Sequence, residues 1–133
     1  MDYRIQLVIA QMNNNLHRDL SLDGLAQSVN LSVSRLHHLF RRETGSSPAR
    51  YCRLLRLMRA KDLLVTTHLS VKQVKVSVGL DDRSHFEREF KKVFGITPAK
   101  YRRVSLQPPA PAERFDLSRL LRSKDESGGQ SAP

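Results

Sequence analysis

Apolar residues recur along most of this chain at the spacing of a helix face, and no stretch shows the sustained alternation of a strand. The pattern predicts an all-α protein. Seven helices are expected, over residues 2–14, 22–29, 32 or 33 to 44, 48 to about 66, 71–78, 82 or 83 to 94, and 98 to about 104. The buried residues expected on the first and fourth of these helices are Ile5, Val8, Ile9, Met12, Tyr51, Leu54, Leu55, Met58 and Leu63.

Residues with strong positional preferences stand where these helices are expected to begin and end. Serine accepts a hydrogen bond from a first-turn N–H, proline fits the first helical position, and glycine adopts the left-handed conformation that follows a last turn. Each signal occurs twice: Ser21 and Ser70 as N-caps, Pro48 and Pro98 as first residues, Gly45 and Gly95 as C-caps. The signals for helix ends therefore agree with the periodicity.

The pairing reflects an internal repeat, residues 20–53 and 69–103. Equivalent residues differ by 49 in number up to Leu31 and Leu80, and by 50 from Ser34 and Ser84, so the second copy has one extra residue in its turn. The repeat predicts one domain over residues 1–104, with a first lobe at 1–47, a linker helix at 48–66 and a second lobe at 69–104. Two copies of one device in a short chain suggest one long partner contacted at two places.

The excess of positive over negative charge is confined to the repeat-bearing region. The whole chain carries a net charge of +10, with 19 Lys and Arg against 9 Asp and Glu in residues 1–104, and 4 against 4 in residues 105–133. Basic folded domains attract polyanions, nucleic acid first and an anionic membrane second. The Pro- and Gly-rich tail, residues 105–133, is expected to be disordered; the alternative is a docked helix that uses Phe115, Leu117, Leu120 and Leu121.

Several classes of protein are disfavoured by what the sequence lacks. Cys52 is the only cysteine, so no internal disulfide can form, which fits a reducing cytoplasm. No apolar run approaches the roughly 20 residues that span a bilayer, and the N-terminus lacks the apolar region of a signal peptide. His37 and His38 are adjacent and diverge on a helix, and no HxxxH or CxxC spacing or catalytic triad order exists. We therefore expect no metal, no cofactor and no enzymatic activity.

The first copy of the repeat matches a helix-turn-helix position by position. Counting Leu22 as position one, apolar residues fall at positions 4, 8, 10, 15 and 18, which are Leu25, Val29, Leu31, Leu36 and Leu39. Ala26 at position five is small, as a close helix crossing requires, and Asn30 at position nine tolerates the left-handed turn. An ordinary αα-corner is the alternative, but it would not require the basic flanks. A projecting second helix of this kind fits the major groove of B-DNA.

Two longer segments carry a family resemblance. GLDDRSHFEREFKKVFGITPAKYR, residues 79–102, resembles the C-terminal signature of AraC/XylS-type bacterial transcription regulators, and LAQSVNLSVSRLHHLFRRETGSSPARYCRLLRLMRAKDLL, residues 25–64, resembles the first half of the same domain. The resemblance implies two homeodomain-like helix-turn-helix lobes whose recognition helices enter successive major-groove segments. Lys75 stands where the family has a small Ala, and Leu80 replaces a Phe. Lys75 is expected to extend its ammonium outward, which would loosen the second lobe.

The expected base-reading residues lie on the outer faces of the third and sixth helices. They are Ser34, Arg35, His37 and His38 in the first lobe and Arg83, Ser84, Glu87 and Arg88 in the second. Arginine makes a bidentate contact to guanine, whereas His and Ser are less base-specific. Two roles stay open for Glu87: it accepts from cytosine N4, or it orients Arg83 through an i,i+4 pair. A merely solvated charged face is the alternative for the whole set.

Phosphate contacts are expected from a second group of residues: Ser21, Ser32, Arg41, Arg42, Arg50, Ser70, Lys91, Lys92, Lys100, Arg102 and Arg103. The three serines mark helix starts, where backbone N–H groups attract anions. Arg56, inside the linker helix, is expected to form a structural ion pair, with Asp62 as one candidate partner.

Together these features predict a sequence-specific DNA-binding transcription regulator, an activator by resemblance, rather than an enzyme. It is expected to act in the cytoplasm at the nucleoid, as a monomer on asymmetric double-stranded DNA, with RNA polymerase as a possible second partner. Two alternatives stay open: a protein-interaction module and a non-specific architectural DNA binder. The chain is either a stand-alone regulator or an output domain separated from a sensor, and its start at Met1 and polar tail favour the first.

Overall fold

The computed structural model describes residues 1–106. These residues form seven α-helices and no strand, which confirms the predicted all-α architecture. The helices are α1 (Tyr3–Asn14), α2 (Leu22–Ser28), α3 (Val33–Thr44), α4 (Pro48–Thr66), α5 (Val71–Ser77), α6 (Arg83–Phe94) and α7 (Pro98–Ser105). Their bounds lie within about one residue of those predicted, because the capping residues define them. The expectations for the tail, including the docked helix, concern residues 107–133, which lie outside the described residues.

The described residues divide into two compact units, residues 1–54 and residues 55–106. The first unit consists of α1, α2, α3 and the first residues of α4. Ile5, Val8 and Met12 of α1 are at most 1% exposed, as are Leu36 and Phe40 of α3. Burial of side chains this large is the main source of a small domain's stability. This core fixes α2 and α3 in place and leaves the other face of α3 free.

The second unit has the same plan, with the last part of α4 in place of α1. Leu57, Ala60 and Leu64 of α4 are at most 1% exposed and repeat the spacing of Ile5, Val8 and Met12. Phe86 and Phe90 of α6 complete this core. The second half of α4 therefore supplies the first helix of the second unit's core, as α1 does in the first unit.

Equivalent residues of the repeat have equivalent local geometry. The Phe40 and Tyr51 rings meet edge to face, with centroids 5.2 Å apart, and the Phe90 and Tyr101 rings do so at 5.8 Å. Such pairs stabilise beyond their buried area. Both helix-ending glycines are left-handed, with φ of 79° at Gly45 and 88° at Gly95. Most other side chains would be strained there, so the glycines end α3 and α6 at matching points.

One prediction of burial on α4 is largely wrong. Leu54 is buried as expected, but Tyr51, Leu55, Met58 and Leu63 are only half-buried. The buried residues are instead Cys52, Leu54, Leu57, Ala60 and Leu64. The prediction treated α4 as a linker between the copies, whereas its second half belongs to the core of the second unit. On α1, Ile9 is also half-buried rather than buried.

Candidate nucleic-acid interface

In the first unit, the turn between α2 and α3 determines where α3 begins. The Leu31 N–H donates to the Ala26 carbonyl at 2.9 Å, and Asn30 is left-handed, with φ of 57°. The Ser32 hydroxyl then accepts from the Arg35 N–H at 3.1 Å and caps α3. Ala26 is 1% exposed and is therefore buried at this crossing. The turn thus defines the register in which α3 presents its first residues.

The outer face of α3 carries the residues expected to read bases in the first lobe. Ser34, Arg35 and His38 are exposed, whereas His37 is half-buried. The opposite face is anchored by Leu36 and Phe40, both 0% exposed. The structure therefore brings these four polar residues together on one short stretch of helix, as predicted.

In the second unit, an aspartate rather than a serine caps the corresponding helix. The Asp82 carboxylate accepts from the His85 N–H at 2.9 Å. This backbone hydrogen bond holds the pKa of Asp82 below its ordinary value of 3.8, since it favours the ionised form. Asp82 is exposed, so the cap faces solvent at the start of α6. A negative cap also complements the positive end of the helix dipole.

The outer face of α6 differs chemically from that of α3. Arg83, Ser84 and Arg88 are exposed, and Glu87 is half-buried. The Arg83 guanidinium Nε lies 3.4 Å from the Glu87 carboxylate, an i,i+4 ion pair. The side chains of Arg83 and Glu87 remain 65% and 41% exposed, so this pair contributes little stability. The contact restricts the directions that the Arg83 guanidinium can take. This geometry is the one expected if Glu87 orients Arg83.

Two polar groups near these faces were not predicted from the sequence. On α6, His85 Nε2 lies 3.0 Å from the Glu89 carboxylate, at the i,i+4 spacing that could have indicated it. Beside α3, Arg4 of α1 lines a shallow depression together with Arg35, His38 and Arg42. Arg4 pairs with Asp2 at 3.2 Å, and the Asp2 N–H donates to the Glu43 carboxylate. The pairing with Asp2 raises the pKa of Arg4, and the Arg4 side chain lowers the pKa of Asp2.

The expected phosphate-binding cations divide by exposure. Six of them are exposed: Arg41, Arg42, Lys91, Lys92, Lys100 and Arg103. Arg50 and Arg102 are half-buried. The Arg102 Nε donates to the Leu64 carbonyl at 2.9 Å, so part of its guanidinium binds the last turn of α4. The six exposed cations are the ones free to reach an anion without rearrangement.

The three serines expected near phosphates are all engaged as N-caps. The hydroxyls of Ser21, Ser32 and Ser70 accept from the N–H groups of Gly24, Arg35 and Gln73, respectively. Gln73 also accepts from the Ser70 N–H, which completes a capping box. Their side chains therefore order helix starts, and only the remaining backbone N–H groups can meet an anion.

Lys75 is not placed as the sequence suggested. The residue is only 8% exposed, and its ammonium donates to the Asp81 carbonyl at 2.6 Å instead of extending outward into solvent. The prediction was wrong because it considered only the helix crossing and not the longer turn that follows. Arg56 is close to the same turn, since its guanidinium donates to the Gly79 carbonyl at 3.4 Å.

Residues 1–106 contain neither a three-residue metal cluster nor a membrane-spanning helix. No three His, Cys, Asp or Glu side chains in this range come together as metal ligands would. None of the helices in the same range combines the length and the apolar character that crossing a membrane requires.

The fold and the paired outer faces define a protein of the helix-turn-helix class. A family model described as a helix-turn-helix domain matches residues 25–104. A crystal structure of a transcriptional regulator from Chromobacterium violaceum, described as having an AraC-type DNA-binding domain, superimposes with a TM-score of 0.76. It is 32% identical and covers 80% of this chain and 95% of that one. The chain belongs to the AraC-type helix-turn-helix family.

Several other relatives are longer transcription regulators of which this chain matches only one part. The transcriptional regulator GbdR of Pseudomonas aeruginosa (strain UCBPP-PA14) is 38% identical over 95 residues, which are 71% of this chain and 26% of GbdR. The transcriptional activator RhaS of Escherichia coli O139:H28 is 31% identical over 99 residues, 74% of this chain and 36% of RhaS. The chain thus spans about a quarter to a third of these relatives. The DNA-binding domain of AdpA, solved with a target DNA, has a TM-score of 0.71 at 27% identity and covers 77% of this chain and 93% of that one.

Proposed function

We propose that this chain binds double-stranded DNA sequence-specifically and regulates transcription, reading two adjacent major-groove segments with α3 and α6. The observation that carries the proposal is the pair of outer faces, each presented just after a capped turn and anchored by a fully buried core. The segments would lie about one helical turn, roughly 34–36 Å, apart. The similarity to a domain solved with its target DNA supports the same conclusion.

Different residues would supply specificity and affinity. On α6, Arg83 and Arg88 are long, exposed and suited to bidentate contact with guanine. On α3, Ser34, His37 and His38, with Arg35 nearby, would make weaker base contacts. Phosphates would be bound by the exposed cations Arg41, Arg42, Lys91, Lys92, Lys100 and Arg103, with Arg50 a further candidate. Because the two faces differ, the preferred site is asymmetric and one chain occupies it.

The regulatory outcome we propose is activation, with RNA polymerase as the second partner, in the bacterial cytoplasm at the nucleoid. The relative named as a transcriptional activator supports this choice. A chain with two chemically distinct reading faces binds asymmetric DNA in one orientation, which would present a constant surface to polymerase.

Selection of bound sequences from random DNA tests the proposal most directly. The expected result is an asymmetric sequence logo with two information-rich segments separated by about ten base pairs. The logarithm of the binding constant for the selected site should fall linearly with the logarithm of salt concentration, with a slope set by the number of phosphates contacted. A symmetric palindrome occupied by a dimer would contradict the monomer model. Good affinity without sequence preference would point to architectural binding, and an absence of DNA binding to a protein-interaction module.

A further inference from the structure

The turns that precede α3 and α6 differ by one residue, and the position of that residue can be identified. Both turns close in the same way at first, since the Leu80 N–H donates to the Lys75 carbonyl at 3.1 Å as Leu31 does to Ala26. In the first unit the N-cap, Ser32, follows Leu31 directly. In the second unit Asp81 stands between Leu80 and the N-cap, Asp82. The extra residue is therefore Asp81, at the junction of turn and helix.

Lys75 binds that extra residue. It occupies the position of Ala26 in the repeat, and its ammonium contacts the Asp81 carbonyl at 2.6 Å. Asp81 precedes the N-cap, so its carbonyl lies outside the hydrogen-bonding ladder of α6. A hydrogen bond from a charged donor in a partly buried place is among the stronger ones in proteins. Lys75, which replaces the alanine of the first copy at the helix crossing, thus contacts Asp81, the residue added to the turn.

The position of Lys75 argues against a direct contact with DNA. The side chain is 8% exposed and its ammonium already donates to a carbonyl, so reaching a phosphate would require breaking a buried interaction. Lys72, one turn earlier on α5, is exposed and offers a matched comparison. Attraction of a positive charge to DNA phosphates therefore does not explain the lysine at position 75.

We propose that Lys75 is a positioning residue for DNA recognition by the second unit. Its ammonium fixes Asp81, Asp81 fixes the start of α6, and α6 presents Arg83 and Arg88 in one register. Arg56 supports the same turn through the Gly79 carbonyl. The effect on DNA rests on the proposed function, whereas the effect on the start of α6 does not depend on it.

The first arm of the experiment uses the protein without DNA. Lys75→Met retains the length and apolar stem of the side chain but removes the ammonium. The first-turn amides of α6, such as that of His85, should exchange with solvent at least about tenfold faster, since a charged hydrogen bond is lost. Amides of α3 should be unaffected, and Lys72→Met should change neither helix. Lys75→Arg, which retains a donor, should restore much of the protection.

The second arm measures binding to the site selected by the wild-type protein and to random DNA. Lys75→Met should lower the ratio of specific to random binding on the order of tenfold, by relaxing preference only in the segment read by α6. The salt slope should not change, because no phosphate contact is lost. Lys72→Met should weaken both kinds of DNA alike if it changes binding at all.

Each outcome bears on the inference. Unchanged amide exchange in α6, equal loosening of α3 and α6, or a Lys75→Met protein that fails to fold would overturn it. The last result would make Lys75 a general core residue. If the wild-type protein shows no sequence preference, the proposed function fails, and the exchange arm still decides the role of Lys75 within the fold.

Discussion

The two units share a scaffold but not a surface. Equivalent residues share their local geometry, from the Phe40–Tyr51 and Phe90–Tyr101 ring pairs to the left-handed Gly45 and Gly95. The exposed helix faces of the two units share a serine, Ser34 or Ser84, but differ beside it. His37 and His38 of α3 correspond to Glu87 and Arg88 of α6, and Arg83 takes the place of Val33. The two copies therefore share the turn and core that position a helix, whereas the exposed residues of that helix differ.

The largest expected effect tests whether the two scaffolds are energetically equivalent. Phe40→Ala and Phe90→Ala each remove a fully buried ring, so each should lower the free energy of unfolding by about 3–5 kcal/mol. Urea unfolding of the full chain measures the cost, and amide exchange shows which unit opens. A large cost at one position and a negligible one at the other would show that one unit depends on its aromatic pair and the other does not.

The second effect concerns the unlike surfaces. Arg88→Ala should lose about 1–3 kcal/mol of discrimination at one base pair, because a bidentate contact to guanine is lost. His38→Ala, at the equivalent and also exposed position of α3, should lose less, since histidine is less specific. Binding to single-base variants of the selected site measures both. As a control, Arg103→Ala should weaken all sequences alike and leave the sequence logo unchanged.

An unaltered logo for Arg88→Ala would contradict the reading role of that residue. A larger loss for His38→Ala than for Arg88→Ala would reverse the comparison and make the first unit the more specific reader.

The features that could be predicted are those determined by residues close together in the sequence. Helix bounds follow from Ser21, Ser70 and the paired glycines, because capping acts within one turn. The outer faces follow from periodicity once Phe40 and Phe90 are assigned to the core. These signals need no knowledge of distant contacts.

The parts that were missed depend on tertiary contacts. The ammonium of Lys75 binds a carbonyl across the turn, and Arg102 donates to Leu64, 38 residues away in sequence. The burial of Leu57 on α4 reflects a core assembled from helices that follow later in the chain. No local pattern distinguishes a snorkelling lysine from one that donates to a turn, so sequence alone could not have given these contacts.

The third effect is a difference in pH dependence between the N-cap of α6, Asp82, and the N-cap of α3, Ser32. Asp82 has a lowered pKa in the folded protein, so its capping contribution is present above the ordinary value of 3.8 and is lost as pH falls through the lower, folded value. Exchange of the first-turn amides of α6 should therefore accelerate at acid pH after correction for intrinsic rates. The start of α3, capped by the Ser32 hydroxyl, should not respond through its cap.

Asp82→Asn provides the matched variant, since asparagine also caps but does not titrate. The acid acceleration at α6 should be absent in Asp82→Asn. For comparison, Ser32→Ala should destabilise by about 1 kcal/mol at every pH. Equal acid sensitivity of α6 in the wild-type and Asp82→Asn proteins would show that another group controls the start of this helix.

The smallest effect decides between the two roles of Glu87. Glu87→Gln removes the charge that pairs with Arg83 while retaining the shape of the side chain. Stability should fall by no more than about 0.5 kcal/mol, because the pair is exposed and spaced i,i+4. If Glu87 orients Arg83, the variant should lose preference at the base read by Arg83, and Arg83→Ala should remove any further effect of Glu87→Gln. If Glu87 instead accepts from cytosine, the loss should fall at a different base pair and add to that of Arg83→Ala. The 3.4 Å contact between Arg83 and Glu87 leads us to expect the non-additive result. The pair would then be, like Lys75 and Asp81, a feature of the second unit with no counterpart in the first.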